Sequence, residues 1–510
     1  MTARNSENPD TGPHFKKVLI ANRGEIALRV LEALHSLDIP SVAIYHYVDR
    51  KSPVVQMADE AVEIVGESPS GAHLDIKQII AICEQLGVDA VHPCYGFLSE
   101  NAGFARALED KGITFIGPSP EVIELMGDKI TSREFVASQK VPVPPSITLS
   151  AGDPGFMQSV IDLGFPLVVK ASAGGGGKGM SIVNSKEELE STLRVASSEA
   201  EKYFGDDRVY IERYFPSARH IEVQVLGDGQ QVIHLGEREC SIQRRFQKIV
   251  EESPSPAFSE EQAGEKGVKQ RESICQAAVA IASAAHYTSA GTVEFLYTPE
   301  GEYFFLEMNT RIQVEHPVTE MVYDVDLVKE QIRIAAGHPM SLTQEAVTPV
   351  GHAIECRLCA EDAFNGFMPA TGKVLLLKSP SGEGVRFDSG LYQGQEITTA
   401  FDPMLAKLVV HAGSRADAIG RMVQALRELV LLGIDTNNEY LTRILEHSAF
   451  ASGEFDTAFV ERYADDLVTR HPDKGLLDAL LIAGMLSDRN IQRLEEATPQ
   501  PYDAIGYWRN

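Results

Sequence analysis

The sequence predicts a multidomain protein of mixed α/β and α+β class, and three observations carry that prediction. Between Lys16 and Gly117, short β-branched runs alternate with amphipathic helical segments, the pattern of βαβ units around a parallel sheet. Four consecutive glycines, Gly174–Gly177, stand between two β-rich runs in a smaller unit that follows a proline-rich stretch. From Ala290 to Glu320 (AGTVEFLYTPEGEYFFLEMNTRIQVEHPVTE) two strand-like runs flank a turn and lead into a segment too polar for a core strand.

Composition bounds the function. A chain of 510 residues, 44% hydrophobic and 23% charged, has ample material for several packed domains. A formal net charge of −27 argues against nucleic acid or an anionic membrane as the main partner, so a site for a polyanion must build its own positive potential. Six cysteines are sparse for this length and suit a reduced, cytoplasmic setting. Cys356 and Cys359 form one C-x-x-C, but on a strand that odd spacing sends the thiols to opposite faces, and a second ligand pair for zinc is missing. Residues 1–14 are polar, unlike a signal peptide. No apolar run approaches the roughly 20 residues of a membrane span.

In chain order, the N-terminal alternation reads KKVLIAN, EIALRVLEALHSL, SVAIYH, IKQIIAICEQLG, DAVHP, NAGFARALEDKG and ITFIG. The turn Asn22–Glu25 occupies the place where a parallel sheet binds ligands, yet it lacks the G-x-G-x-x-G of a dinucleotide site. Met126-Gly-Asp-Lys129 opens a helix, and Lys140–Pro145 (KVPVPP) predicts a hinge. In Phe165–Met180 a strand enters the glycine run, whose unobstructed amides suit phosphate oxygens beside Lys170 and Lys178. It is not the G-x-x-x-x-G-K-[ST] loop. Val209–Phe215 reads as a strand leaving this unit, and Arg219–Val225 as an alternating strand with its polar side toward a site. Four cations lie within Arg238–Lys248, and Arg244, Arg245 and Lys248 cannot all face one way on a strand. Strands follow from His352 to about Val410, and helices from Arg415 onward.

The segment after Ala290 is the most informative. Thr292–Thr298 and Tyr303–Met308 read as a hairpin around Pro299–Glu302, and pairing Thr298 with Tyr303 sets Glu294 opposite Glu307. Directly opposed Cβ atoms lie about 5 Å apart, so two carboxylates there repel unless a cation sits between them. With the amide oxygen of Asn309 they make a hard oxygen donor set of the kind Mg2+ takes. Arg311, Gln313, Glu315 and His316 follow within a few positions.

At this point the motifs carry a resemblance. IANRGEIALR, HPCYGFLSEN, MGDK, VVKASAGGGGKGM, ERECSIQRRFQK, FLEMNTRIQVEHPVTE and ECRLCAED stand in the order and spacing of the biotin carboxylase subunit of biotin-dependent carboxylases, within the ATP-grasp superfamily. The resemblance runs from about Lys16 to Tyr463 and implies an N-terminal biotin carboxylase domain (residues 15–143), an ATP-grasp lid (144–215), an ATP-grasp core (216–345) and a biotin carboxylase C-terminal domain (346–463). These would be flanked by a disordered tail (1–14) and a helical extension (464–510). It implies an ATP-dependent ligase that phosphorylates bicarbonate to carboxyphosphate and captures the resulting CO2 on N1′ of biotin. Lys129, Lys170, Gly176 and Gly177 would hold ATP phosphates with His220 and Gln243 nearby. Glu212 and Phe215 would define the adenine pocket, and Met180 and Leu296 complete the ATP set. Glu294, Glu307 and Asn309 would hold Mg2+ or Mn2+. Lys248, Arg311, Gln313 and Val314 would bind bicarbonate, Glu315 would act as its base, Arg357 would stabilise the biotin enolate, and Tyr95 would lie on the biotin side.

Two departures stand out: Cys94 replaces the usual glycine of H-P-G-Y-G-F, and Phe246 stands where many relatives have histidine. None of the 12 methionines is followed by lysine, so biotin is expected on a separate biotin carboxyl carrier protein, with a carboxyltransferase subunit completing the reaction. A homodimer or larger complex is expected. The leucines of 476–486 have helical spacing and suit packing on the chain's own core or on a partner. The competing readings are another ATP-grasp ligase, such as a carbamoyl-phosphate-forming enzyme, and a catalytically silent scaffold; R-I-Q-V-E-H with Arg357 favours biotin, and the intact charged set argues against a scaffold.

Overall fold

The strand-like N-terminal runs, joined by β3 (Glu60–Glu63), which the sequence pattern did not mark, form one parallel sheet from β1 (Val18–Ile20), β2 (Ser41–Tyr45), β3, β4 (Ala90–His92) and β5 (Thr114–Phe115), in the order β3-β2-β1-β4-β5. This computed structural model describes residues 14–147, 155–171, 180–204, 208–467 and 478–484. The sheet order changes direction between β1 and β4, so the loops after these two strands flank a crevice at the switch point. Asn22 closes it, donating from Nδ2 to the carbonyls of Pro93 and Tyr95 at 3.0 and 2.7 Å. That contact brings the start of the helix Gly24–Ser36 beside Tyr95.

A four-stranded antiparallel sheet follows: β6 (Ser146–Ile147), β7 (Leu167–Ala171), β8 (Met180–Val183) and β9 (Val209–Arg213), ordered β6-β9-β7-β8. The helices Phe156–Leu163 and Lys186–Phe204 complete a small core of its own around Val160, Val169, Leu189 and Ala196. Gly174–Gly177 lie outside the described residues.

The central sheet starts from β10 (Arg219–Asp228), β11 (Val232–Arg244), β12 (Gln247–Ser253), β13 (Thr288–Tyr297) and β14 (Tyr303–Asn309). After β15 (His352–Cys359) come the short strands β16 (Glu361–Asp362), β17 (Met368–Pro369), β18 (Gly372–Lys373) and β19 (Leu376–Lys378), then β20 (Val385–Ser389), β21 (Glu396–Ile397), β22 (Met404–Ala412) and β23 (Val430–Leu432). Eight of these strands form one antiparallel sheet, β14-β13-β10-β11-β12-β15-β22-β20. One apolar core packs the long helix Glu260–Ala284 against β10, β13 and β14; another packs Arg415–Glu428 and Asn438–Glu446 against β15 and β22 and extends to Leu467. The chain divides into a unit Met1–Leu467 and a second, Val468–Asn510, in which residues 478–484 are helical. Among the described residues no helix is long and apolar enough to cross a membrane.

One local expectation is corrected. Tyr303 pairs with Tyr297, not Thr298, so the hairpin loop is Thr298–Glu302. A bulge between Glu294 and Phe295 absorbs the shift, and Glu294 still faces Glu307. The Arg238–Lys248 run is itself a hairpin: Arg245 and Phe246 form its turn with φ of 49° and 64°, and Arg244 pairs with Gln247. β10 is buried on both faces, because its polar side meets other polar side chains rather than water.

One buried carboxyl ties the C-terminal helices to this sheet. Glu252 on β12 accepts from Arg415 Nε and Nη2 at 2.7 and 2.9 Å and pairs with His352 Nε2 at 2.7 Å. Burial pushes its pKa up, but Arg415 and His352 outweigh that and bring it from 4.5 down to about 2. A depressed carboxyl contributes stability that is present above its unfolded value and lost as pH falls through its folded one. The difference amounts to roughly 3 kcal/mol. Glu252→Gln is therefore expected to melt below the unmodified chain at pH 7, and the gap should narrow as pH falls from about 4.5 toward about 2. Thermal melts across that range check it.

Candidate active site

Four charged residues stand in one row across four adjacent strands. Arg238 on β11 faces Glu222 on β10, Glu222 faces Glu294 on β13, and Glu294 faces Glu307 on β14. Because side chains alternate along a strand, this register places all four on one face of the sheet. Three neighbouring carboxylates demand compensation, and the structure brings cations to each.

Lys248, on β12, supplies the central charge. Its Nζ bonds Glu222 and lies 3.0 Å from Glu294 Oε1 and 2.9 Å from Glu315 Oε1. Burial alone would lower this ammonium's pKa, but the three carboxylates raise it well above its ordinary value. Arg238 is fully buried and donates to Glu222 Oε2 at 3.1 and 3.0 Å, Gln224 at 2.6 Å, Thr292 at 2.9 Å, Gln313 at 2.8 Å and Thr319 at 3.0 Å. His220 Nε2 reaches Glu294 Oε2 at 2.7 Å, while its Nδ1 meets Gln243 at 3.0 Å. Burial pushes this imidazole down, yet Glu294 prevails and raises it to about 9.

The two opposed carboxyls differ in charge preference. Lys248 and His220 overcome burial and hold Glu294 well below the usual carboxylate range. Glu307 is pushed up by burial and by Glu294, against a distant Lys129 at 3.9 Å. A second nearby cation would relieve that strain. The donor set of Glu294, Glu307 and the Asn309 amide oxygen, opposite Thr292, fits a hard divalent cation.

Glu315 sits between two cations. Its Oε1 meets Lys248, and its Oε2 accepts from Arg357 Nη2 at 3.0 Å. Burial and Glu222 push its pKa up, and Lys248, Arg357 and Arg238 together bring it below the ordinary value. Arg357 is itself held by Glu251 Oε1 at 2.6 Å. Arg311 donates to Asn309 Oδ1 and Glu100, both at 2.8 Å, and Gln313 Nε2 donates to Glu294 at 2.6 Å. A guanidinium and an ammonium thus converge on the Glu315 carboxylate, which can accept a proton from a small acid held among them.

A second cluster lies between the small sheet and the N-terminal region. Glu212 is buried and bonds both Arg133 and Lys170, and Lys170 pairs across β7 and β8 with Met180. Phe215 stacks on Phe304 with ring centres 5.0 Å apart, and Phe304 faces Leu296, which also faces His220. These apolar faces form a flat wall beside the charged row. Tyr95 bonds Glu25 at the switch-point crevice. Val314 contributes its carbonyl to Lys407. Gly176 and Gly177 lie outside the described residues.

Sequence reasoning overlooked Glu222, Arg238, Arg133, Glu100 and Glu251 as members of the site. The signal for two of them was present: Glu222 stands on the polar side of β10, and Arg238 opens the cation run. Arg238→Met is expected to lower stability by about 3 to 5 kcal/mol, because buried Glu222 loses a partner. Adding Glu222→Gln should recover part of that loss. Thermal melts of the single and double variants check both.

Comparison with known proteins agrees with this geometry. Residues 14–123 match the model "Biotin carboxylase, N-terminal domain", 128–343 match "Carbamoyl-phosphate synthase L chain, ATP binding domain", and 355–462 match "Biotin carboxylase C-terminal domain". The chain is 46% identical to Biotin carboxylase 1 of Bacillus subtilis, over 88% of this chain and 99% of that protein. It is 48% identical to the biotin carboxylase of a Nostoc species, over 88% of this chain and 99% of that one. The biotin carboxylase domain dimer of Hydrogenobacter thermophilus 2-oxoglutarate carboxylase, crystallised with MgADP, ADP and bicarbonate, superposes with a TM-score of 0.85 at 43% identity, covering 90% of this chain and all of that one. The chain therefore belongs to the biotin carboxylase family of ATP-grasp ligases.

Proposed function

We propose that this chain uses ATP and bicarbonate to carboxylate biotin, the first half-reaction of a biotin-dependent carboxylase. The observation that carries the reading is Glu315, held between Lys248 and Arg357 beside the opposed Glu294 and Glu307. Lys248, Arg311, Gln313 and the Val314 backbone would bind a small anion, bicarbonate. Glu315 takes the bicarbonate proton while the anion attacks the γ-phosphorus of ATP and ADP leaves. Carboxyphosphate then breaks to CO2 and phosphate, and N1′ of biotin passes its proton to the released phosphate as it bonds to the CO2 carbon. Arg357 stabilises the negative oxygen of the biotin enolate, and Tyr95 faces the same acceptor. Glu294, Glu307 and Asn309 would hold Mg2+ or Mn2+, whose charge would offset that of the ATP phosphates.

Lys129 and Lys170 supply positive charge for the phosphates, and Gly176 and Gly177 belong to the same ATP set. The wall of Phe215 and Leu296, with Glu212 and Met180 nearby, receives the adenine. Water is a competitor throughout, because carboxyphosphate hydrolyses readily, so a site this buried serves containment. The biotin arrives on a separate carrier protein, and a carboxyltransferase passes the carboxyl to an acyl acceptor. The chain acts as a homodimer or within a larger complex, in line with the dimeric Hydrogenobacter domain.

The test is ATP cleavage measured with bicarbonate, with and without free biotin. Turnover is expected to rise with biotin, and a rate indifferent to biotin would point to another ATP-grasp ligase. Glu307→Gln should abolish most ATP cleavage, with partial rescue at high Mg2+. Arg357→Ala should retain bicarbonate-dependent ATP cleavage better than biotin carboxylation. Equal loss of both activities would place Arg357 in the bicarbonate step.

A further inference from the structure

Tyr95 and the turn carrying Gln313, Val314 and Glu315 come from distant parts of the chain, yet both are tied to one buried atom. Lys407 Nζ donates to the Val314 carbonyl at 2.9 Å and lies 3.3 Å from Glu25 Oε2 and 3.8 Å from Asp388 Oδ2. Glu25 accepts the Tyr95 hydroxyl through its other oxygen, Oε1. The Lys407 side chain is fully buried and that of Glu25 is 3% exposed, so solvent competes for neither contact.

The strand register makes this lysine conspicuous. Lys407 on β22 stands directly between Arg357 on β15 and Asp388 on β20. Two cations facing each other across strands destabilise a sheet unless each has its own counter-charge. Arg357 is held by Glu251 and Glu315, while Lys407 meets Glu25 and, more distantly, an Asp388 that it shares with Arg386. An apolar side chain would fill this position more cheaply, since a buried ion pair adds little stability over well-packed hydrophobic residues. What an apolar residue cannot do is bond a carbonyl on one side and a carboxylate on the other. Glu25 is fixed from behind as well, because Gly390 approaches its helix start so closely that a Cβ there would lie 3.1 Å from the Glu25 nitrogen.

We propose that Lys407 is a positioning residue for biotin carboxylation, holding the Tyr95 phenol through Glu25 and the Glu315 turn through the Val314 carbonyl at a fixed spacing across the acceptor pocket. The proposal rests on the assignment of Tyr95 and Arg357 to the biotin side. Lys407 does not touch the reacting atoms, since the Val314 backbone stands between. Glu315 keeps its own contacts to Lys248 and Arg357, and bicarbonate keeps Lys248, Arg311 and Gln313, so loss of Lys407 should cost the bicarbonate step less than the acceptor step.

The experiment uses the full chain with free biotin as the probe. Lys407→Arg keeps the charge but replaces a point donor with a planar fork. The charge-balanced pair Glu25→Gln/Lys407→Met removes the link without leaving a buried charge unpaired. For both, the melting temperature should stay near that of the unmodified chain and the KM for bicarbonate should rise no more than about twofold, while the KM for biotin rises about tenfold. Tyr95→Phe and Lys407→Arg should be non-additive in kcat/KM for biotin, with a coupling of about fivefold or more. An unchanged biotin KM in the folded variants, an additive cycle, or equal loss in the bicarbonate and biotin steps would each overturn the proposal. If the balanced pair does not fold, the Tyr95 and Lys407 cycle decides alone. Failure of the unmodified chain to respond to biotin overturns the function itself, and is read before any variant is made.

Discussion

The buried ammonium of Lys248 is the interaction on which the rest of the structure depends. Glu222, Glu294 and Glu315 each place an oxygen against it, and all three are almost fully buried. Two unit charges 4 Å apart interact by about 4 kcal/mol at an effective dielectric of 20, so three carboxylates without this cation would not remain ionised together. The consequence reaches function. Glu315 can serve as a base only while ionised, and it is ionised because Lys248, Arg357 and Arg238 outweigh its burial.

The eight-stranded sheet converts that local balance into an arrangement with two ends. One row, Arg238, Glu222, Glu294 and Glu307, lies toward the β14 edge; another, Arg357, Lys407 and Asp388, lies toward β20. Glu315 bridges them through Lys248 and Arg357. Phosphoryl chemistry suits the first row, where hard oxygen ligands gather, and acceptor chemistry suits the second, where Tyr95 approaches through Glu25. In the proposed reaction, proximity of the two rows would keep a short-lived carboxyl donor near its acceptor.

The two departures from the family pattern acquire a physical meaning. Cys94 adopts φ of 60°, the left-handed region where glycine is at ease and other residues carry strain of roughly 1 to 2 kcal/mol. Its thiol is buried against the core of the helix Gly24–Ser36, and burial raises its pKa well above the ordinary value, so it is not a reactive group. Phe246 occupies the second left-handed position of the hairpin turn and is 43% exposed. Neither side chain joins the charged rows.

Much of the site was legible from local pattern. The βαβ alternation, the helix opening at Lys129 and the opposed Glu294 and Glu307 all follow from periodicities of two or 3.6 residues, which act within a few positions. The hairpin loop was misplaced by one residue because a bulge is a backbone choice with no side-chain signature here. Glu222, Arg238, Glu251 and Lys407 escaped notice for a different reason: a buried charge looks like any surface charge until its partner is known. By itself the sequence determined most of the longer strands and helices, which polar residues crowd after Met308, and which family motifs stand in order. Only the tertiary structure decided which charges share a face, because strand register joins residues such as Val314 and Lys407 that no local spacing connects.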